Sequence, residues 1–242
     1  MNQKIINLKN KYLAILLCLL LSVTLTGCFN HYDLAEVDSV TDLDSALMGT
    51  VKIQSIHSDN ILGSGLESTS TGTGIVFSED NEYYYALTNN HVIYTGAWSY
   101  TITITNYKGE SVNGRVLKKS AAYDCAIVTF KKEITCNVLP LATVNPEVGV
   151  DTISIDNNFN HYEGQVLEYV DAPTLSYGKS ASRVKFEVFT SSSYTHKGSS
   201  GGPILDNQYN VIGMMYAGHA ENDYSFDYCL VIPVEKLLKF IK

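Results

Sequence analysis

From Gly49 to the C-terminus, short runs rich in Val, Ile, Tyr and Thr are separated by turn residues: "VKIQSI", "TGIVF", "YYYALT", "YTITIT", "GRVLKK", "CAIVTF", "VDTISI", "GQVLEYV", "RVKFEVF", "PILD", "VIGMMY" and "YCLVIP". Such runs suit pleated, half-buried backbone. In "TITIT" apolar and polar positions alternate with period two, as in an antiparallel strand with one face in the core. The last stretch, "VEKLLKFIK", has a helical period instead, with Val234, Leu237, Leu238 and Ile241 on one stripe. The pattern predicts an all-β domain that ends in a helix. About a dozen strands without alternating helices argue for barrels or a sandwich rather than a parallel sheet. The polar run "SSSYTHKGSSGG" lies between two strand-like segments and reads as a structured loop.

The composition, 45% hydrophobic and 11% aromatic over 242 residues, supplies a sizeable core and excludes a disordered chain. The formal charge of -8, without a basic run beyond Lys-Lys pairs, excludes nucleic acid as an expected partner.

Residues 1–27 stand apart. Lys4, Lys9 and Lys11 precede the apolar "YLAILLCLLLSVTL", too short for a confident membrane span, and small residues follow. This is the form of an export signal, with an uncleaved signal anchor as the alternative. "LTGC", Leu25 to Cys28, resembles the lipobox of bacterial lipoproteins, which implies that Cys28 is lipidated and becomes the mature N-terminus. Loss of three lysines would leave 14 basic against 25 acidic residues, a charge of -11. Such a surface is disfavoured against anionic lipid. Residues 28–48 would then serve as an acidic tether, with Asp33, Glu36, Asp38, Asp42 and Asp44. The expected localisation is the extracytoplasmic face of a bacterial membrane, held by lipid on Cys28.

With Cys18 in the signal and Cys28 committed to lipid, Cys125, Cys136 and Cys229 remain. Cys125 and Cys229 lie in apolar runs, where cysteine behaves as a small hydrophobe, and the expectation is no disulfide.

"HKGSSGGPI", residues 196–204, raises the chemical question. A nucleophilic serine needs a sharp turn to expose its hydroxyl, and glycines where backbone N–H groups must approach a developing oxyanion. Serine also needs a base. Five of the six histidines sit in unremarkable polar surroundings; His91, in "ALTNNHVI", directly follows the aromatic strand "YYYAL". An acid must orient the imidazole, and Asp124 enters the apolar "CAIVTF", where a carboxylate is costly unless paired. Taken singly, these could be a plain loop, a surface histidine and a turn aspartate.

Together, the order His91, Asp124, Ser200 is that of chymotrypsin, distinct from subtilisins and α/β-hydrolases. Residues 49–242 resemble trypsin-fold serine proteases, in particular the bacterial Deg-type (high-temperature-requirement) branch. The resemblance lies in "TGTGIVFS", "TNNHVI", "DCAIV", "GSSGGPI" and "IPVEKL". It implies two six-stranded antiparallel barrels with the active site between them. It implies His91 as base, Asp124 as orienting acid and Ser200 as nucleophile. The amides of Gly198 and Ser200 would form the oxyanion hole. No cofactor and no metal is implied, and the expected partners are protein or peptide substrates.

The resemblance also sets expectations where this chain departs from it. Digestive members carry an aspartate before the nucleophile to receive a new N-terminus; Ser199 stands there, so activation by N-terminal cleavage is not expected. No PDZ module is expected after the closing helix, and monomer or trimer stays open. The base of the specificity pocket falls near Tyr194, with Tyr216, Ala217 and Gly218 as a wall. The absence of an acid there points to small or medium apolar side chains at the cut site. The alternative function is a surface binding lipoprotein that keeps a protease fold without turnover; a structural envelope lipoprotein is a third reading.

Overall fold

The structure, a computed structural model, describes residues 40–58, 67–93, 99–173, 176–177, 180–181, 184–219 and 228–242. It begins with a six-residue helix, α1 (Leu43–Met48). The first six strands are β1 (Thr50–Ser58), β2 (Glu67–Glu79), β3 (Tyr83–Thr88), β4 (Ser99–Thr105), β5 (Ser111–Ser120) and β6 (Cys125–Lys131). They close into an antiparallel barrel, β1-β2-β3-β6-β5-β4, in which β4 returns to pair with β1. Then come β7 (Asp151–Ile155), β8 (His161–Asp171), β9 (Ser176–Tyr177), β10 (Ser180–Ala181), β11 (Glu187–Ser191), β12 (Pro203–Leu205), β13 (Val211–His219) and β14 (Tyr228–Pro233). Six of these close a second barrel, β11-β14-β13-β12-β7-β8, while β9 and β10 form a two-stranded sheet. The expected all-β architecture of two six-stranded barrels is what the chain adopts. Closure leaves no unpaired strand edge on either barrel.

The period-two pattern explains which residues fill them. Ile102 and Ile104 of β4 are buried, whereas Thr101 between neighbouring turns of the pleat is exposed. With Val51, Ile53, Val128 and Phe130 they form the core of the first barrel. Val166, Phe189, Ile204, Met215 and Val231 form that of the second. Cys125, Cys136 and Cys229 are buried with free thiols. Burial pushes the Cys136 and Cys229 thiols up to about 12, helped at Cys136 by the charge of Glu110.

The closing helix, α2 (Val234–Ile241), buries Val234, Leu237, Phe240 and Ile241. Each such side chain contributes roughly 1.5–3 kcal/mol by leaving water. Although it follows the second barrel, α2 also reaches the first. Lys118 of β5 donates to the Phe240 carbonyl and lies over its ring, and the Tyr123 ring packs 6.0 Å from that of Phe240. Tyr123 immediately precedes Asp124, so this packing steadies the turn that carries the acid.

The end of the stretch read as a tether is part of the packed domain. Asp42 caps α1 by accepting from the Ser45 amide at 2.7 Å. Ala46 and Leu47 are buried, and Asn137 donates to the carbonyls of Met48 and Ser45. The acidic residues lie on the outer side of this short helix, which is why composition alone reads as solvated chain.

Candidate active site

After β3 the chain turns sharply, with the Val92 amide on the Asn89 carbonyl and the Ile93 amide on the Asn90 carbonyl. Val92 and Ile93 are pinned in the first core, leaving the His91 side chain 9% exposed at its edge. Asp124 ends the neighbouring turn before β6 and is fully buried. Its φ of 49° is left-handed, a conformation that Asp tolerates better than most residues. The strain is offset by four hydrogen bonds. Oδ1 accepts the His91 amide at 3.0 Å, and Oδ2 accepts His91 Nδ1 at 2.8 Å. The Asp124 carbonyl accepts the Asn90 amide and Asn89 Nδ2. Because a carboxylate only accepts, the His91 proton sits on Nδ1, and Nε2 is the nitrogen that can take another.

The serine loop joins β11 to β12. Among the amides of Gly198 to Gly202, that of Ser199 donates to the His196 carbonyl, that of Gly201 to Met215 and that of Gly202 to Ser199. The amides of Gly198 and Ser200 meet no protein acceptor among the described residues. Gly198 has φ of 102°, and a Cβ there would lie 2.7 Å from the buried Asn157 side-chain amide, so glycine is required on both counts.

The first barrel grips this loop. Thr73 of β2, fully buried, donates its amide to the Ser200 carbonyl and its hydroxyl to the Gly198 carbonyl, each at 2.8 Å. Thr88 of β3 in turn donates to the Thr73 carbonyl at 2.7 Å. At Gly72 an added Cβ would lie 2.6 Å from a Val92 methyl and 2.9 Å from the Ser200 carbonyl. The histidine turn and the serine loop thus meet across the backbone of β2.

The sequence from Gly72 to Met214, which spans both segments, matches the family model described as a trypsin-like peptidase domain, residues 72–214. The chain belongs to the trypsin-like peptidase family. It is similar to the serine protease Do-like HtrA of Bacillus subtilis (strain 168), 25% identical over 209 residues that cover 81% of this chain and 45% of that protein. It is similar to HtrB of the same organism, 27% identical over 73% of this chain and 40% of that protein. HtrA of Lactobacillus helveticus is 27% identical over 79% and 48%. The chain spans less than half the length of these relatives. In fold it is like the Rv3671c protease of M. tuberculosis in its active form, with a TM-score of 0.62, 18% identity and 83% coverage of each chain.

Within this peptidase fold, Tyr194 is 43% exposed, and its ring packs 5.0 Å from that of Tyr162. Its neighbours Ser193 and Thr195 point inward and are buried, Ser193 in a hydroxyl cluster with Thr152 and Ser191. Ala217 and Gly218 are half-buried. Tyr216 is fully buried: the register of β13 against β14 slips between Met215 and Ala217, and the bulge turns the Tyr216 ring inward. Burial, and then the charge of Asp124, push its phenol up. Cys28 lies outside the described residues. A groove of about 700 Å³ runs along the outside of the first barrel, lined by Tyr83, Thr103, Asn113 and Arg115 among others, and none of the candidate site residues borders it.

Two residues of the site are not singled out by the sequence reading. One is Thr73. The other is His196, which the polar surroundings made unremarkable: Nε2 lies 2.6 Å from Asp156 Oδ2, and Nδ1 lies 2.8 Å from the Lys197 carbonyl. Asp156 is 40 residues away in sequence, and barrel closure alone brings the pair together.

Proposed function

We propose that this chain is a serine endopeptidase that cuts protein or peptide substrates through His91, Asp124 and Ser200. The observation that supports the reading is the 2.8 Å bond between His91 Nδ1 and Asp124 Oδ2, which leaves Nε2 as the nitrogen that can act as base. Ser200 Oγ attacks the substrate carbonyl carbon as its proton passes to His91 Nε2. The C–N bond then breaks, the proton goes to the leaving amine, and water releases the acyl group from Ser200 by the same steps in reverse order. Asp124 holds the tautomer and stabilises the imidazolium. The amides of Gly198 and Ser200 receive the oxyanion; between Gly198 and Gly202 they are the two that meet no protein acceptor among the described residues.

The same reading places the enzyme on the extracytoplasmic face of the membrane, tethered by lipid on Cys28, in protein quality control or regulated proteolysis. The lipobox-like "LTGC" supports the anchor. The cut site takes small or medium apolar side chains, in a pocket whose wall includes Ala217 and Gly218.

Hydrolysis of an unfolded protein substrate by the full-length chain tests the activity. Ser200→Ala is expected to lower kcat by about a millionfold while leaving the fold intact. Equal turnover by wild type and Ser200→Ala contradicts it.

A further inference from the structure

Both ring nitrogens of His196 face groups that can only accept. Nδ1 meets the Lys197 carbonyl at 2.8 Å and Nε2 meets Asp156 Oδ2 at 2.6 Å. Asp156 is ionised by its surroundings: besides His196, its oxygens accept from the amides of Asn158 and Asn160, from Asn160 Nδ2 and from Tyr162 OH. A histidine between a carbonyl and a carboxylate must donate from both nitrogens, so it is an imidazolium.

The Lys197 carbonyl belongs to the same peptide unit as the Gly198 amide. A trans peptide is planar, with its C=O and N–H pointing in opposite directions. Fixing the carbonyl on His196 therefore fixes the direction of the Gly198 N–H, away from His196. Glycine at 198 offers little resistance to rotation of that peptide, so an external hold is needed.

The geometry points to His196 as a positioning residue for the oxyanion hole, the imidazolium holding the 197–198 peptide so that the Gly198 N–H is aimed at a substrate's carbonyl oxygen. This rests on the peptidase reading above. Loss of the proton removes one of the two contacts and frees the peptide to turn. The groups that face the ring are Asp156, after β7; Tyr162 of β8, through Asp156; Tyr194, its ring 6.2 Å away; and the adjoining Lys197. Burial lowers the His196 pKa, but the bonds to Asp156 and the Lys197 carbonyl and the Asp156 charge outweigh it and hold it above 6.5. Burial and the Asp156 charge push the Tyr162 phenol above 10.0, so it stays neutral while His196 titrates. Activity then falls on the alkaline side as His196 loses its proton.

The test is the fluorophosphonate labelling rate of the full-length chain across the pH range, in wild type, Asp156→Asn and His196→Gln. The wild-type rate is expected to fall on the alkaline side, and Asp156→Asn to move that fall down by roughly one pH unit or more. His196→Gln, which keeps at most one of the two contacts, is expected to label up to roughly 100-fold more slowly and to lose that limb. In wild type, ¹⁵N NMR should show both His196 nitrogens protonated at neutral pH and the Gly198 amide shifting with the same titration. An alkaline limb unchanged in both variants, or a Gly198 amide indifferent to the His196 titration, overturns the inference. The peptidase reading fails elsewhere: no labelling at any pH sinks it, while a Gly198 amide that still follows His196 keeps the positioning contact.

Discussion

Thr73 donates its backbone N–H to the Ser200 carbonyl at 2.8 Å, so a strand of the first barrel holds the serine loop of the second. Its hydroxyl adds a second bond, to the Gly198 carbonyl. Within the loop, His196 bonds to the Lys197 carbonyl and to Asp156. The proposed nucleophile and oxyanion donor, supplied by one loop, thus depend on contacts from elements far apart in sequence.

Thr73→Val keeps the shape and the amide bond but removes the hydroxyl. The loss of about 1 kcal/mol corresponds to roughly a fivefold fall in kcat where the contact matters in the transition state. KM should stay near wild type, and Thr73→Ser should restore kcat. Steady-state kinetics on the two variants checks this; equal kcat in Thr73→Val and wild type means that the hydroxyl does not position the loop.

Gly201→Ala should disable the loop altogether. Gly201 has φ of 87°, and an added Cβ would fall 2.1 Å from the Thr73 carbonyl oxygen. The left-handed backbone alone costs roughly 1–3 kcal/mol for a side chain, and the clash is with backbone that cannot step aside. A lowered Tm together with lost labelling is the expected result. A variant with wild-type Tm and labelling contradicts the close approach of β2.

Asp124→Asn replaces the acceptor of His91 Nδ1 with a group that can present N–H, so the histidine turns to the wrong tautomer. The fold should survive, because Asn still offers an oxygen to the His91 amide. The labelling rate is expected to fall by about ten-thousandfold. A loss below tenfold would mean that another group orients the ring.

The His196–Asp156 pair also sets a stability window. Burial raises the Asp156 pKa, but hydrogen bonds from His196, from the Asn160 side chain and from two amides outweigh it and hold the carboxyl below 3.8. Its contribution is present above 3.8 and is lost as pH falls through the lowered folded value. The His196 contribution is complete below 6.5 and is lost as pH rises through the raised folded value. The pair therefore stabilises most between about 4 and 6.5, where both groups are charged in either state. Thermal unfolding should show the Tm difference between wild type and Asp156→Asn to be largest there and smaller on the alkaline side; a constant difference contradicts the assignment.

The alternation that buries Ile102 and Ile104 is local, so the strands could be read from the sequence. So could the serine loop, because a glycine requirement at Gly198 is written in the residue itself. The spacing of His91 and Asp124 added the chain order of a known triad. The bulge at Tyr216 was not legible: a one-residue slip changes which face a side chain takes, and no pattern in "VIGMMY" marks it. His196 and Thr73 were opaque for a different reason. Their partners are 40 and 125 residues away, and only the tertiary fold, closure of the second barrel for His196 and the packing of β2 on the serine loop for Thr73, sets those contacts. The helix α1 was hidden by charge, since its two buried residues, Ala46 and Leu47, sit among acidic ones.

The most direct measurement is fluorophosphonate labelling of the full-length chain, comparing wild type with Ser200→Ala and His91→Ala and locating the adduct by mass spectrometry. Labelling of wild type on Ser200, absent from both variants, is the predicted result. A folded wild type that takes no label, or takes it on another residue, contradicts the peptidase account and leaves a binding protein on a protease fold.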